Sequence, residues 1–388
     1  MTKALYVGVD EIARKVNKIY VGVDDFARKV KKAYVGVGGV ARPFFSSEVK
    51  IEYYGTIENL SKANTPAVSQ TKNHAIFVVE DADFIDAYGK DLIKIPIDND
   101  LTIYNFTSGK GYNDNYAILA GTHSEKTEYG WSVYMAAYAF TEELTKIFIQ
   151  ASGMVPNSYG CYHGRYAVFG GGQEEGTTLI EMVAFDENLT EIKMSDLDYG
   201  GIGCRASSNS NYVLFAGGWY GNYITAYDKN LVKTDVATQT QIGDFAGTTF
   251  AGDNRQYAIF AGGSVMREDD GRGWDYVDSY SEVYVYDANL IRYIATPLDS
   301  KTSYLDGTTL EGVAIFAGGY SVETYVGDGE TYAYDKELVR IFCPTFSVPR
   351  EAAVFATVGS FAIFAGGYEV LNNGDSQASS LVEAFTIV

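Results

Sequence analysis

The chain has 388 residues with 46% hydrophobic and 14% aromatic content, enough to bury a large core, which excludes disorder and disulfide-stapled miniproteins. Its 41 glycines against 7 prolines, with 32 tyrosines and 21 phenylalanines, point to an all-β fold cut by tight turns, because glycine weakens helices and aromatic rings suit pleated sheets. A net charge of -20 excludes wrapping of nucleic acid, whose phosphates need a dominant Lys/Arg surface.

The first element is a short repeat with a 14-residue period, beginning at Tyr6, Tyr20 and Tyr34. Each copy opens on Tyr-Val-Gly-Val, passes through two turn residues (Asp10-Glu11, Asp24-Asp25, Gly38-Gly39) and ends in an Ala-Arg run. Such a pattern predicts a β-hairpin per copy. Residues 1–45 hold nine Lys/Arg and four Asp/Glu, a net +5 that leaves -25 for the rest, so charge is polarised between two parts. Arg14, Lys15, Arg28, Lys29 and Arg42 are the candidate attachment residues of this segment. The start lacks a continuous apolar run and no run of eighteen apolar residues follows, so neither membrane insertion nor an ordinary secretory signal is expected. Three dispersed cysteines, Cys161, Cys204 and Cys343, predict no disulfide framework, no zinc site and synthesis in a reducing cytoplasm.

A second, longer repeat fills residues 46–388. Its anchor is an apolar strand ending in Gly-Gly, as in Tyr257-Ala-Ile-Phe-Ala-Gly-Gly263 and Phe361-Ala-Ile-Phe-Ala-Gly-Gly367. The aligned positions Phe77, Leu119, Phe169, Phe215, Phe260, Phe316 and Phe364 are 42 to 56 residues apart, and seven copies at that spacing predict a propeller. After each of the first six anchors comes an aromatic-led turn, such as Tyr227-Asp-Lys-Asn-Leu231 or Tyr286-Asp-Ala-Asn-Leu290. Asp and Asn bond to nearby backbone and tolerate left-handed conformations, which predicts a hairpin between the third and outermost strands. The last repeat, Leu381 to Val388, ends one strand short, and Val49 to Ile57 has the alternation of an outer strand. Pairing of the two would close the ring and remove its exposed edges, with residues 42–48 as the junction to the basic repeats.

The Gly-Gly doublet after an apolar strand, followed by the Tyr-Asp turn, resembles the Kelch repeat, with four or five close copies. The family's outer-strand Trp and the Arg ahead of its inner strand are mostly missing. The resemblance implies a seven-bladed propeller in which the glycines permit tight packing and the tyrosine packs between blades.

Catalytic chemistry is not evident. His74, His123 and His163 fall at unlike positions of different repeats, so neither a metal centre nor an enzyme with a cofactor is expected. Asp269, Asp270 and Asp275 could gather calcium, but their spacing fits a solvated acidic loop better. All three tryptophans lie in loops after the anchors: Trp131, Trp219 beside Tyr220 and Tyr223, and Trp274 beside Asp275 and Tyr276. Tyr320 and Asp328 extend the set. Rings beside carboxylates suit a sugar-binding face, a protein interface, or padding of the loops against the disc.

The basic repeats, in Ala33-Tyr-Val-Gly-Val-Gly-Gly-Val-Ala-Arg-Pro43 above all, resemble a short repeat in N-termini of virion proteins of phages and prophages from Gram-positive bacteria. That resemblance implies a non-enzymatic component of a phage tail or tail-like particle. Residues 1–45 would dock on other tail or baseplate proteins, and the propeller would meet a bacterial surface glycan or protein, in a homo-oligomeric arrangement if the particle requires one. An intracellular Kelch-type adaptor and a propeller carbohydrate-active enzyme are the alternatives.

Overall fold

The computed structural model describes residues 49–64, 66–79, 84–97, 111–127, 130–152, 158–174, 177–198, 204–217, 224–236, 256–269, 273–303, 305–321, 330–370 and 376–388, with short strands at 103–104, 108–109, 246–250 and 326–327 and the N-terminal strands between 6 and 46. The chain divides into two compact units, Met1–Lys50 and Ile51–Val388.

The first unit holds three two-stranded antiparallel sheets, Tyr6–Val9 with Ile12–Lys15, Ile19–Val23 with Phe26–Val30, and Lys32–Val37 with Val40–Ser46. The 14-residue repeat is thus a repeat of hairpins with one register, which sets Val7 opposite Arg14, Val21 opposite Arg28 and Val35 opposite Arg42. The third hairpin continues through Pro43 to Ser46 past a bulge at Ala33/Tyr34, so residues expected to form the junction are paired strand.

The second unit is all-β and propeller-like. Among its described residues are seven sheets of four or five strands. The first joins Pro66–Gln70, His74–Val79, Phe84–Gly89 and Lys94–Ile97. Anchors Ala117–Thr127, Tyr166–Glu174, Tyr212–Gly217, Tyr257–Ala261, Val313–Ala317 and Phe361–Ala365 lie within the next six sheets. Each anchor is flanked by an inner segment and by the strand that carries the aromatic-led turn or, in the seventh sheet, by Val382–Ile387. Because both faces of an anchor are covered, it reads as a continuous apolar run rather than an alternation; Val313–Ala317 is buried throughout.

Successive sheets share cores. One cluster joins Ile76, Ile85 and Ala87 of the first sheet to Leu119, Tyr138 and Phe140 of the second. Another joins Val68, Phe77 and Tyr88 of the first sheet to Ile363, Val382 and Ala384 of the seventh. Inner strands carry Ser and Thr whose hydroxyls satisfy backbone groups of neighbouring sheets. Ser69 Oγ donates to Gly111 O at 2.7 Å, and Thr357 Oγ1 donates to Thr309 O at 2.8 Å. Gln70 Oε1 accepts from Thr357 N at 2.9 Å, which ties the first sheet to the seventh.

The expected pairing of the chain's early strand is present. Ile51–Thr56 pairs antiparallel with Val382–Ile387, with Glu383 opposite Thr56 and Ile387 opposite Ile51. The linker leaving Ile51–Thr56 is then fastened to the first sheet as other linkers are fastened to theirs. Tyr88, Tyr227 and Tyr334 hydroxyls donate to Glu58 O, Ser195 O and Thr296 O at 2.7 to 2.8 Å. Beside them Lys94, Lys233 and Arg340 donate to Asn59 O, Asp196 O and Pro297 O at 2.7 to 2.8 Å.

One expectation about the outer turns is corrected. The left-handed residue is neither Asp nor Asn but the leucine that closes each motif, with φ of 59 to 62° at Leu92, Leu144, Leu189, Leu231, Leu290 and Leu338. A left-handed conformation costs an ordinary residue about 1–2 kcal/mol. It persists because the turn holds it from both sides. Leu290 N donates to Asp287 O at 3.0 Å, while Asp287 Oδ1 accepts from Asn289 N and Ile291 N at 2.8 and 2.9 Å. The leucine side chain meanwhile packs into a core between sheets, as Leu92 does at 6% exposure.

Candidate functional site

The Gly-Gly pairs sit where a loop leaves its sheet against the next sheet's entrance. Gly366 has φ +64°, and a Cβ there would lie 2.2 Å from Asn64 O; Gly367 N donates to that same carbonyl at 3.1 Å. Gly263 N and Gly319 N donate in the same way to Thr302 O and Arg350 O. These glycines have a packing role, and the segments that follow them carry the candidate site.

Where they are described, those segments pair as hairpins rather than forming the loops expected. In the second sheet the anchor and its partner Gly130–Phe140 stay paired to Thr127 opposite Gly130, and Trp131 stands opposite Lys126. In the fifth sheet Ser264–Asp269 and Gly273–Ser279 form a separate hairpin with Trp274, Asp275 and Tyr276 opposite Glu268, Arg267 and Met266. Short strand pairs at Tyr320–Ser321 with Val326–Gly327, and at Tyr368–Val370 with Ser376–Ala378, follow the sixth and seventh anchors. Alternating polar and β-branched or aromatic residues in these stretches favour pairing; the Gly-Gly doublet marks a change of direction, not the end of β-structure.

Tyr320 is half-buried, and its backbone exchanges hydrogen bonds with Ser303 at 2.8 and 2.9 Å. Trp219, Tyr220, Tyr223, Asp270 and Asp328 lie outside the described residues, as do the side chains of Trp131, Asp269, Trp274, Asp275 and Tyr276 and those of Arg14, Lys15, Arg28, Lys29 and Arg42. At the same end, Glu330 accepts from the Tyr332 hydroxyl at 2.6 Å and Glu369 accepts from Ser379 Oγ at 2.7 Å. Burial holds the Glu351 carboxyl above the usual carboxylate range. Among the described residues no group of His, Cys, Asp and Glu side chains is gathered to hold a metal ion. Cys161, Cys204 and Cys343 are buried and none is joined in a disulfide, and burial pushes the Cys343 thiol up.

Sequence reasoning missed the most buried polar cluster, which lies beneath the seventh sheet's hairpin. Arg350 is fully buried, pairs with Glu383, and donates to Gly366 O at 3.0 Å and Leu381 O at 2.8 Å. Glu383, also fully buried, accepts from the Tyr53 hydroxyl and from Ser347 N, both at 2.9 Å. Burial pulls the Arg350 guanidinium below its ordinary value against the opposing influence of Glu383. Tyr53, on Ile51–Thr56, thereby joins the early strand to the late one through a charged group. The available signal was Pro349-Arg350 ahead of the last inner strand, Val354–Val358.

No known protein family matches the chain, and no curated protein matches it. Among solved structures, 331 chains resemble it, so the architecture is common and by itself designates no activity. One of these, described as the structure of YjhT, aligns with a TM-score of 0.53 at 9% identity, covering 74% of this chain and 98% of that one. That likeness is one of fold.

Proposed function

We propose that the seven sheets are the blades of one closed seven-bladed propeller, and that the protein is a non-enzymatic component of a phage tail or tail-like particle. In this reading the basic hairpins of residues 1–45 dock on tail or baseplate proteins, and the propeller's hairpin-bearing end engages a bacterial surface glycan or protein. The shared core between the first and seventh sheets supports ring closure. The single observation that carries the functional reading is that all three tryptophans fall, in the sequence, in segments that follow anchor strands, on the polypeptide that also carries a separate basic unit. Hairpins present side chains with less loss of flexibility on binding than open loops do.

Exchange of Trp219 or Trp274 for Ala in the full-length protein tests it. Aromatic anchors commonly contribute about 2 kcal/mol or more to a recognition surface, so adsorption to host cells should fall at least about tenfold with circular dichroism unchanged. Two folded variants that adsorb like the parent would move recognition away from this end. Turnover of a wall polysaccharide by the parent would convert the reading to that of an enzyme.

A further inference from the structure

At the other end of the sheets lie the turns between inner and anchor strands, and two of these are clamped by the same device. In the second sheet Asn113 Nδ2 donates to Asp186 O at 2.9 Å, and Asn115 Nδ2 donates to Glu187 O at 3.0 Å, both on the third sheet's outer turn. In the fourth sheet Asn209 and Asn211 repeat this, donating to Asp287 O and Ala288 O on the fifth sheet's outer turn, each at 2.8 Å. The two motifs are Asn113-Asp-Asn-Tyr116 and Asn209-Ser-Asn-Tyr212, and the third sheet's counterpart is His163-Gly-Arg-Tyr166. His163 and Arg165 therefore stand at the positions of both clamping asparagines.

A half-open groove of about 270 Å³ opens at that junction, lined by His163, Arg165, Tyr166, Asn209, Ser210 and Lys229. Three cationic or protonatable side chains from two sheets converge there on a protein of net charge -20. The guanidinium of Arg165 lies 4.8 Å from the centroid of the Tyr166 ring and donates to the Tyr166 hydroxyl, which fixes its position over the groove. Asp186 and Glu187 are the carboxylates near enough to act on Arg165. Asp228, next to Lys229, is occupied by Asn230 N and Val232 N at 2.8 and 2.9 Å. Asn209 is a fixed wall, because its Oδ1 accepts from Asn211 N and Tyr212 N, both at 2.9 Å.

We propose that this groove binds an oxyanion, the carboxylate or phosphate of a ligand about the size of one sugar residue. Arg165 and Lys229, exposed at its mouth, supply the charge-assisted bonds that hold such groups most firmly. Where the second and fourth sheets carry a pair of clamping asparagines, the third carries His and Arg beside this groove, side chains suited to an anion rather than to a carbonyl clamp. The site is independent of the hairpin-bearing end.

Titration of the full-length protein at low salt with inorganic phosphate, glucuronate and glucose tests this, read by calorimetry and by the ring resonances of its three histidines. Saturable binding of either anion is expected, with His163 resonances moving, His74 resonances still, and glucose inert. Arg165→Ala and Lys229→Ala should each weaken binding at least about tenfold, as loss of a charge-assisted bond does. The double variant His163→Asn/Arg165→Asn should install the clamp, abolish binding and melt no lower than the parent. Saturation by phosphate alone or by glucuronate alone would support the site and name its oxyanion. Failure of both anions to saturate, equal binding of glucose, or binding that survives Arg165→Ala/Lys229→Ala in a folded protein would overturn it.

Discussion

Replacing Glu383 by Ala takes away the counter-charge of a fully buried arginine and the acceptor used by Tyr53 and Ser347. Breaking a buried pair by removing one partner typically destabilises by about 3–5 kcal/mol, since the remaining charge stays desolvated. Unfolding entropy of about 2.1 cal/mol/K per residue, over the roughly 340 residues of the sheet-bearing unit, converts about 4 kcal/mol to a fall in melting temperature of about 6 °C. Tyr53→Phe removes a single charge-assisted bond and should lower stability by about 1.5–3 kcal/mol, or about 2–4 °C on the same scale. The double variant Arg350→Met/Glu383→Leu should be more stable than Glu383→Ala alone, because buried pairs are often replaceable by packed apolar groups. Calorimetry and urea titration of the four proteins give the comparison. A Glu383→Ala protein that melts with the parent, or a double variant that melts below it, would refute the account of Arg350 as a charge that Glu383 compensates.

Three further outcomes follow from the same geometry. Leu92→Ala should cost about 2–5 kcal/mol of packing, and Leu92→Gly should be more stable than Leu92→Ala by about 1 kcal/mol, an inversion of the usual order that arises only where φ is positive. Gly366→Ala should destabilise by about 3 kcal/mol or more, because its new Cβ meets a backbone carbonyl that cannot yield; wild-type melting would disprove the contact. Burial raises Tyr88, Tyr227 and Tyr334 above the ordinary tyrosine value of 10.0 and pushes Tyr286 up to about 12. Since the folded state holds these protons more tightly, stability is intact below about pH 10 and falls as pH climbs through the folded values, so the last tyrosinate absorbance should appear together with unfolding. Smooth ionisation of every tyrosine near pH 10 without loss of structure would contradict it.

Local, repeated features were legible in the amino-acid sequence. An apolar run such as Phe361–Ala365 recurs at a regular interval, and the repeat that stops at Val388 pointed to Ile51–Thr56 as its missing partner. The basic hairpins were legible for the same reason. Contacts between repeats were not. Arg350 meets Glu383 across 33 positions and Glu383 meets Tyr53 across 330, and neither residue belongs to a motif that marks the other as its partner. The left-handed leucines escaped notice because propensity assigns that conformation to Gly, Asn and Asp, whereas here the Asp carboxylate and the core beneath Leu92 overrule it. The hairpins bearing Trp131 and Trp274 were misread as loops because the glycines that end an apolar run look the same whether the chain turns or stops. The oxyanion groove becomes visible only when His163 and Arg165 are aligned with two asparagines whose partners belong to a different sheet.

The pairing of Ile51–Thr56 with Val382–Ile387 also sets a timetable for synthesis. At about 5–20 residues per second, the 330 positions between Tyr53 and Glu383 separate the emergence of the two strands by roughly 15–65 s. During that interval the early strand, with Tyr53 and Tyr54 on it, has made no ladder, while each intermediate sheet can complete its own hairpins as it leaves the ribosome. Glu52 within the strand and Lys50 just before it are charges of the kind that keep a waiting strand from joining a stranger. The earlier-made strand of this pair is therefore seated only when its late partner appears, and a ribosome stalled anywhere in the final repeat would release a chain in which Ile51–Thr56 still had an open edge.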